Sequence, residues 1–198
     1  MDLWQEIKGD LEKSGRKVKF FDGNAERGAS ELEKFGIPAS STIGMVIINT
    51  NGFSVDNWIF VLGQSSDERA GFVDFNERIG RDFGDFMVIA TDAVGGVFAL
   101  HGVTVWYFAP DALRWEDLGI KYAQFITWLA QGDLAMFYET ARWSGWEKDV
   151  AELDGFQQGF SIYTFLWTKE CDIETASKKI VSLAELIDSE FETAEQLA

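Results

Sequence analysis

The sequence predicts an α+β protein, a largely antiparallel sheet of about five or six strands with helices packed on it. Three observations carry that expectation. The stretch from Phe86 to Gly119 reads as three short strands, FMVIA, VFAL and TVWYF, parted by turn signals at Thr91 to Gly96 and at His101-Gly102. Helical periodicity recurs on either side of this meander. Finally, no repeat, low-complexity tract or Pro/Ser-rich linker divides the chain, so residues 1–198 are expected to form one domain.

In order, Leu3, Trp4, Ile7 and Leu11 fall at helical spacing and Gly15 supplies a stop. Val18 to Phe21 is a short strand, and DGNAERGA a polar loop. Ser30 with Glu33 has the form of a capping box for a brief helix closed by Gly36 and Pro38. From Gly44 to Leu62 the reading is a strand MVIINT, an Asn51-Gly52 hairpin turn, FSV, an Asp56-Asn57 turn and a strand WIFVL, because Asn-Gly tolerates the positive φ angles of tight hairpins. Phe72, Phe75 and Ile79 then have the spacing of a short helix.

After the meander, FAPDALRWEDLG reads as an aromatic loop. Tyr122, Phe125, Ile126 and Leu129 give the clearest helix, with Gly132 at its end and Asp133 opening a turn that carries Leu134, Phe137 and Tyr138. Ser144 and Glu147 make a second capping box, before a helix with Trp146, Val150 and Leu153 on one face. DGFQQGF is a loop and SIYTFLW an irregular or extended segment. Ser182 and Glu185 cap a last helix carrying Leu183, Leu186, Ile187 and Phe191.

The charge balance narrows the function classes. With 33 acidic against 17 basic residues the formal charge is -16, and the pI is near 4.3. Such a surface repels nucleic acid and anionic lipid but accelerates encounter with a basic partner. No apolar run approaches the roughly 20 residues of a membrane span. The amino-terminal MDLWQEIKGD lacks the basic and apolar regions of a signal peptide, and the single cysteine, Cys171, has no internal partner; a cytoplasmic location is expected.

Candidate chemistry is sparse. The one histidine, His101, stands in a His-Gly turn; with Cys171 far away in sequence, neither a nucleophile-base pair nor a transition-metal site is expected, and no cofactor. Carboxylate pairs such as Asp82 with Asp85 and Glu116 with Asp117 suit solvated loops. The turn containing Asp92, Gly95 and Gly96 has two glycines after a strand but lacks a P-loop's Lys-Ser/Thr, and reads as a hairpin connection. More distinctive is Arg142-Trp143-Ser144-Gly145-Trp146-Glu147, two tryptophans around a helix start. These either border a ligand cavity or form a hydrophobic staple, with Trp143 beside the cap and Trp146 in the core. Asp92, Gly95, Gly96, Trp143, Gly145, Trp146 and Trp167 are the candidate ligand- or partner-binding residues.

Several strings carry a resemblance: Val105 to Asp111 (VWYFAPD), Trp115 to Gly119 (WEDLG), Gly132-Asp133-Leu134, Arg142-Trp143 with Gly145-Trp146-Glu147, and Phe165 to Glu170 (FLWTKE). Together they resemble a bacterial family catalogued as domain of unknown function 2625, from Trp4 to about Leu186. That family has no established catalytic residues to carry over. More weakly, LEKFGIP, a strand with Asn51-Gly52, DAVGGVFAL, a Tyr-Phe strand and AQFITWLAQGDL are similar to the SUKH superfamily. That likeness implies an α+β fold and an immunity-like role, binding and neutralising a toxin. The expected function is therefore a non-catalytic domain that binds a basic, toxin-like protein. The alternatives are a small-molecule pocket, including an enzyme working with carboxylates, and a self-associating accessory subunit whose oligomeric state the sequence leaves open.

Overall fold

The structure, a computed structural model, describes residues 2–78 and 83–198. Seven strands form one antiparallel sheet whose spatial order is the chain order, so every strand pairs with its sequence neighbours. They are β1 (Val18–Asp22), β2 (Thr50–Val55), β3 (Ile59–Val61), β4 (Met87–Asp92), β5 (Val97–His101), β6 (Thr104–Ala109) and β7 (Arg114–Ile120). A separate two-stranded ribbon joins β8 (Gln158–Tyr163) and β9 (Ser177–Ser182). The α+β expectation holds, with a strand count slightly higher than five or six.

Among the described residues seven α-helices surround the sheet: α1 (Leu3–Lys13), α2 (Ala25–Phe35), α3 (Thr42–Asn49), α4 (Tyr122–Gln131), α5 (Leu134–Phe137), α6 (Trp146–Asp149) and α7 (Leu183–Leu197). A π-helical turn covers Asp74–Arg78 and a 3-10 turn Val150–Glu152. The expected helical residue Ile79 and the carboxylate Asp82 lie outside the described residues.

Strand alternation sorts the two faces. On β6, Tyr107 turns toward Phe98 and Phe137, while the next residue, Phe108, stacks on Phe191 of α7 with ring centroids 3.8 Å apart. Phe98 in turn meets Phe125 of α4 at 5.1 Å. Helices α4 and α5 therefore cover one face of this end of the sheet and α7 the other. The apolar residues of both sheets and of the covering helices join in one hydrophobic cluster.

Several local expectations are corrected. The β-branched run Met45 to Thr50 is helix α3 up to Asn49, because Ser41 caps it by accepting the Gly44 N–H at 3.1 Å and Ile43, Val46 and Ile47 form one buried face. Asn51-Gly52 is no hairpin turn; it lies inside β2, where Gly52 takes φ +87° and a Cβ would press on the Phe156 ring. The expected Asp56-Asn57 turn is present, both residues at positive φ (55° and 48°), closed by the Trp58 N–H on Val55 O at 3.0 Å. Most of Arg114 to Ile120 lies in the expected loop FAPDALRWEDLG but is β7; its charged side chains mark it as a sheet edge. SIYTFLW divides into the end of β8 and a turn, and β9, with polar and basic residues at most positions, carries no apolar alternation to betray it.

The capping boxes fare unequally. Ser182 accepts the Glu185 N–H at 3.4 Å as expected. Ser30 lies in the middle of α2, whose cap is Asn24, accepting the Arg27 N–H at 3.0 Å, so DGNAERGA is partly helix. Gly145 rather than Ser144 precedes α6. In chemical denaturation Asn24→Ala should cost about 1 kcal/mol, whereas Ser30→Ala, exposed within the helix, should be neutral or slightly stabilising.

Candidate functional site

Asp92 ends β4 and is completely buried, at 0 % exposure. Its Oδ1 accepts the backbone N–H groups of Val94 at 3.0 Å and Gly96 at 2.8 Å. Oδ2 accepts the hydroxyls of Tyr107 at 2.8 Å and Tyr138 at 3.2 Å. The turn N–H groups that would cradle a phosphate are thus spent on the chain's own carboxylate. Burial pushes the Asp92 carboxyl up and its four donors pull it back, leaving it raised. Burial, with the Asp92 charge, also holds both tyrosine hydroxyls well above their ordinary range, so they remain donors.

Glu190 reaches the same turn from α7. It is 3 % exposed, its Oε2 is buried with no hydrogen-bond partner among the described residues, and a Cβ at Gly95 would overlap its carboxyl. Burial and then the neighbouring Asp92 hold the Glu190 carboxyl well above the usual range. Asp92 has four hydrogen-bond donors and Glu190 none among the described residues, so the two carboxyls are held in unlike ways. Beside it is a cavity of about 30 Å³ lined by Val94, Ser161, Phe165, Trp167, Ser189 and Glu190. Two of its walls are aromatic, beside the aliphatic Ile162, Leu166 and Leu186: Phe165 stacks on Trp167 at 4.5 Å, and outside the cavity it meets the exposed Tyr163 edge-on at 5.5 Å.

On the other side of Tyr138 lies an aromatic cluster centred on the fully buried Trp58. The Arg142 guanidinium sits 4.8 Å from the Trp58 and Tyr138 rings and 4.0 Å from Trp146. Trp143 is buried, with its indole N–H on Asp149 Oδ2 at 2.6 Å and its ring against Trp58 and Phe160. The staple expectation is reversed: Trp143 is the core residue, while Trp146 lines a groove of about 570 Å³ with Phe21, Arg69, Glu147, Asp154 and Phe156.

The structure therefore brings Asp92, Gly95 and Gly96 into one turn and places Trp167 near it through Glu190. Trp143, Gly145 and Trp146 belong to the Trp58 side, so the candidate residues do not share one cavity. Sequence reasoning missed Tyr107, Tyr138 and Glu190. The last left a signal: Leu183, Ile187, Glu190 and Phe191 stand at i, i+4, i+7 and i+8, which puts a carboxylate within the apolar stripe.

Elsewhere the chemistry is ordinary. His101 ends β5 and stacks on Phe86 at 4.6 Å. Glu116 bonds Arg114 at 3.1 Å and Asp117 caps the Gly119 N–H at 2.8 Å. Among the described residues no group of three or more His, Cys, Asp or Glu could hold a metal ion, and no helix is long and apolar enough to cross a membrane.

The family described as protein of unknown function DUF2625 matches residues 2–186. An uncharacterized protein of Escherichia coli, YbfG, is 29 % identical over 201 residues, covering 97 % of this chain and 92 % of its own. An uncharacterized protein of Haemophilus influenzae is 32 % identical over 155 residues, 71 % of this chain and 66 % of that protein. No solved structure matches the chain significantly.

Two predictions follow from the buried carboxyls. A raised folded pKa means that the neutral carboxyl stabilises fully below the unfolded value, about 4.3, and loses that contribution as pH rises through the folded value. Urea unfolding should therefore give a stability that falls from pH 5 to pH 8, and Glu190→Gln should flatten the profile and leave the protein at least as stable as wild type at pH 8. A wild-type stability that rises over this range, or an unchanged slope in the variant, would show that burial does not raise the Glu190 carboxyl. Gly95→Ala, at φ +96° and against the Glu190 carboxyl, should cost about 3 kcal/mol by the same measurement.

Proposed function

The chain belongs to the family described as protein of unknown function DUF2625, and we propose that it is a non-catalytic binding protein for a basic protein partner, acting in the manner of an immunity protein. The observation that carries this reading is the aromatic ledge Tyr163–Phe165–Trp167 beside an acidic helix. Tyr163 is 67 % and Phe165 40 % exposed. Helix α7 has no basic residue, and Glu185, Ser189 and Glu192 form one exposed stripe along it. Aromatic anchors within a charged surround are what protein interfaces concentrate, and a net charge of -16 favours a partner of opposite sign. The closure of Asp92 from solvent speaks against acid-base chemistry there.

A tagged pull-down at low salt, eluted with a salt gradient, tests the reading. The expected result is a basic protein released by salt, with recovery lowered about tenfold or more by Tyr163→Ala combined with Phe165→Ala at little cost in Tm. A neutral or acidic partner, or retention indifferent to salt, would sink it. A second reading, a small-molecule protein, is favoured by the groove of about 570 Å³, a volume within the usual range for ligand sites. Its three aromatic walls and the mixed charges of Lys17, Lys19, Arg69, Asp56, Glu147 and Asp154 suit a planar, charged ligand. A thermal-shift screen should then find a stabilising compound whose effect disappears in Trp146→Ala.

A further inference from the structure

Glu190 is a buried carboxyl that its surroundings leave uncompensated. It is 97 % buried by its 3 % exposure, its Oε2 lacks a hydrogen-bond partner among the described residues, and it lines the small cavity beside Trp167. A carboxyl placed so is costly unless something compensates it. Lys179, across the β8–β9 ladder from Ser161, is exposed and makes no ion pair with it. The groups that line the cavity are a carboxyl, two serines, and apolar or aromatic walls. That is the chemistry of a seat for a cation with few hydrogen-bonding protons: the carboxyl supplies the counter-charge and the Trp167 and Phe165 rings an aromatic flank.

Size selects among cations. A cavity of about 30 Å³ accommodates a group of roughly one or two waters, hence an ammonium but not the wider planar guanidinium. The position selects the source. Phe165 and Trp167 line the cavity together with Ser189 of the Glu185–Ser189–Glu192 stripe, so a long aliphatic stem crossing the exposed ledge would deliver its charged end to Glu190.

We infer that this cavity is a seat for a primary ammonium group, supplied by a lysine side chain of a partner protein, with Glu190 as its counter-carboxylate and Trp167 as its wall. The inference deepens the basic-partner reading and rests on it. It makes lysine, rather than positive charge in general, the feature recognised.

The test is a titration of the full chain followed by NMR at the indole N–H of Trp167, identified by its loss in Trp167→Phe. Oligolysine and oligoarginine peptides of equal length and n-butylammonium chloride are added at matched ionic strength. Oligolysine should bind about tenfold more tightly than oligoarginine and shift the Trp167 signal. Glu190→Gln should abolish that preference, while Glu192→Gln, which removes an exposed charge from the same helix, should weaken both peptides alike and keep it. If Glu190→Gln retains the preference, or wild type has none, the seat is wrong although the basic-partner reading stands. If neither peptide binds in a salt-dependent way, both fail. Saturation by n-butylammonium as tight as by oligolysine would keep the seat but overturn the partner protein as its source.

Discussion

The hydrogen bonds on Asp92 are the constraint that most of this structure answers to. One fully buried carboxylate takes donors from its own hairpin turn, from β6 and from the end of α5. A buried charge is tolerable only when its lone pairs are filled, so the close of the β4–β5 hairpin, the face on which Tyr107 lies and the position of Tyr138 are tied to one another. Truncation of either tyrosine would leave the carboxylate short of a donor in a dry environment, a larger loss than the bond itself is worth.

That same turn connects the two faces of the sheet. Asp92 is served from the α4 and α5 side, whereas Gly95 lies under the carboxyl that α7 brings from the opposite side. The absence of a side chain at Gly95 lets the second carboxyl approach, and the unequal supply of donors separates their roles. Asp92 is held in place by four bonds and serves architecture. Glu190, to which the described residues supply none, sits next to the aromatic ledge, where architecture and recognition meet.

How much of this was legible depended on whether neighbours in sequence or neighbours in space decide the outcome. The central strands β4 to β6 and helices α1, α4 and α7 were readable because periodicity and local caps agree with burial. Residues 45–49 misled because Met-Val-Ile-Ile has the composition of a strand, and only the Ser41 cap and packing against α1 and α2 settle it as helix. Asn51-Gly52 satisfied a turn rule inside a strand, since a glycine at positive φ also serves the close approach of Phe156. Within the site, Asp92, Gly95 and Gly96 stood out as a turn, but Tyr107 and Tyr138 lie 15 and 46 positions from Asp92, and no spacing rule connects them. Trp143 and Trp146 exchanged their expected roles because α6 is only four residues long, too short for a helical period to fix its faces.

The strictly sequential pairing of the seven strands bears on how the chain is made. A sheet whose strands pair only with their immediate successors needs few distant loop closures, which favours rapid assembly and lets it grow strand by strand as the polypeptide leaves the ribosome. Asp92 is then incorporated long before Tyr138 emerges, and Glu190 emerges later still. A nascent chain that has completed β7 holds a hairpin whose carboxylate has its turn donors and Tyr107 but still faces water. Its burial is a late event that belongs to the carboxy-terminal third of synthesis, and the dry turn exists only once that third has docked.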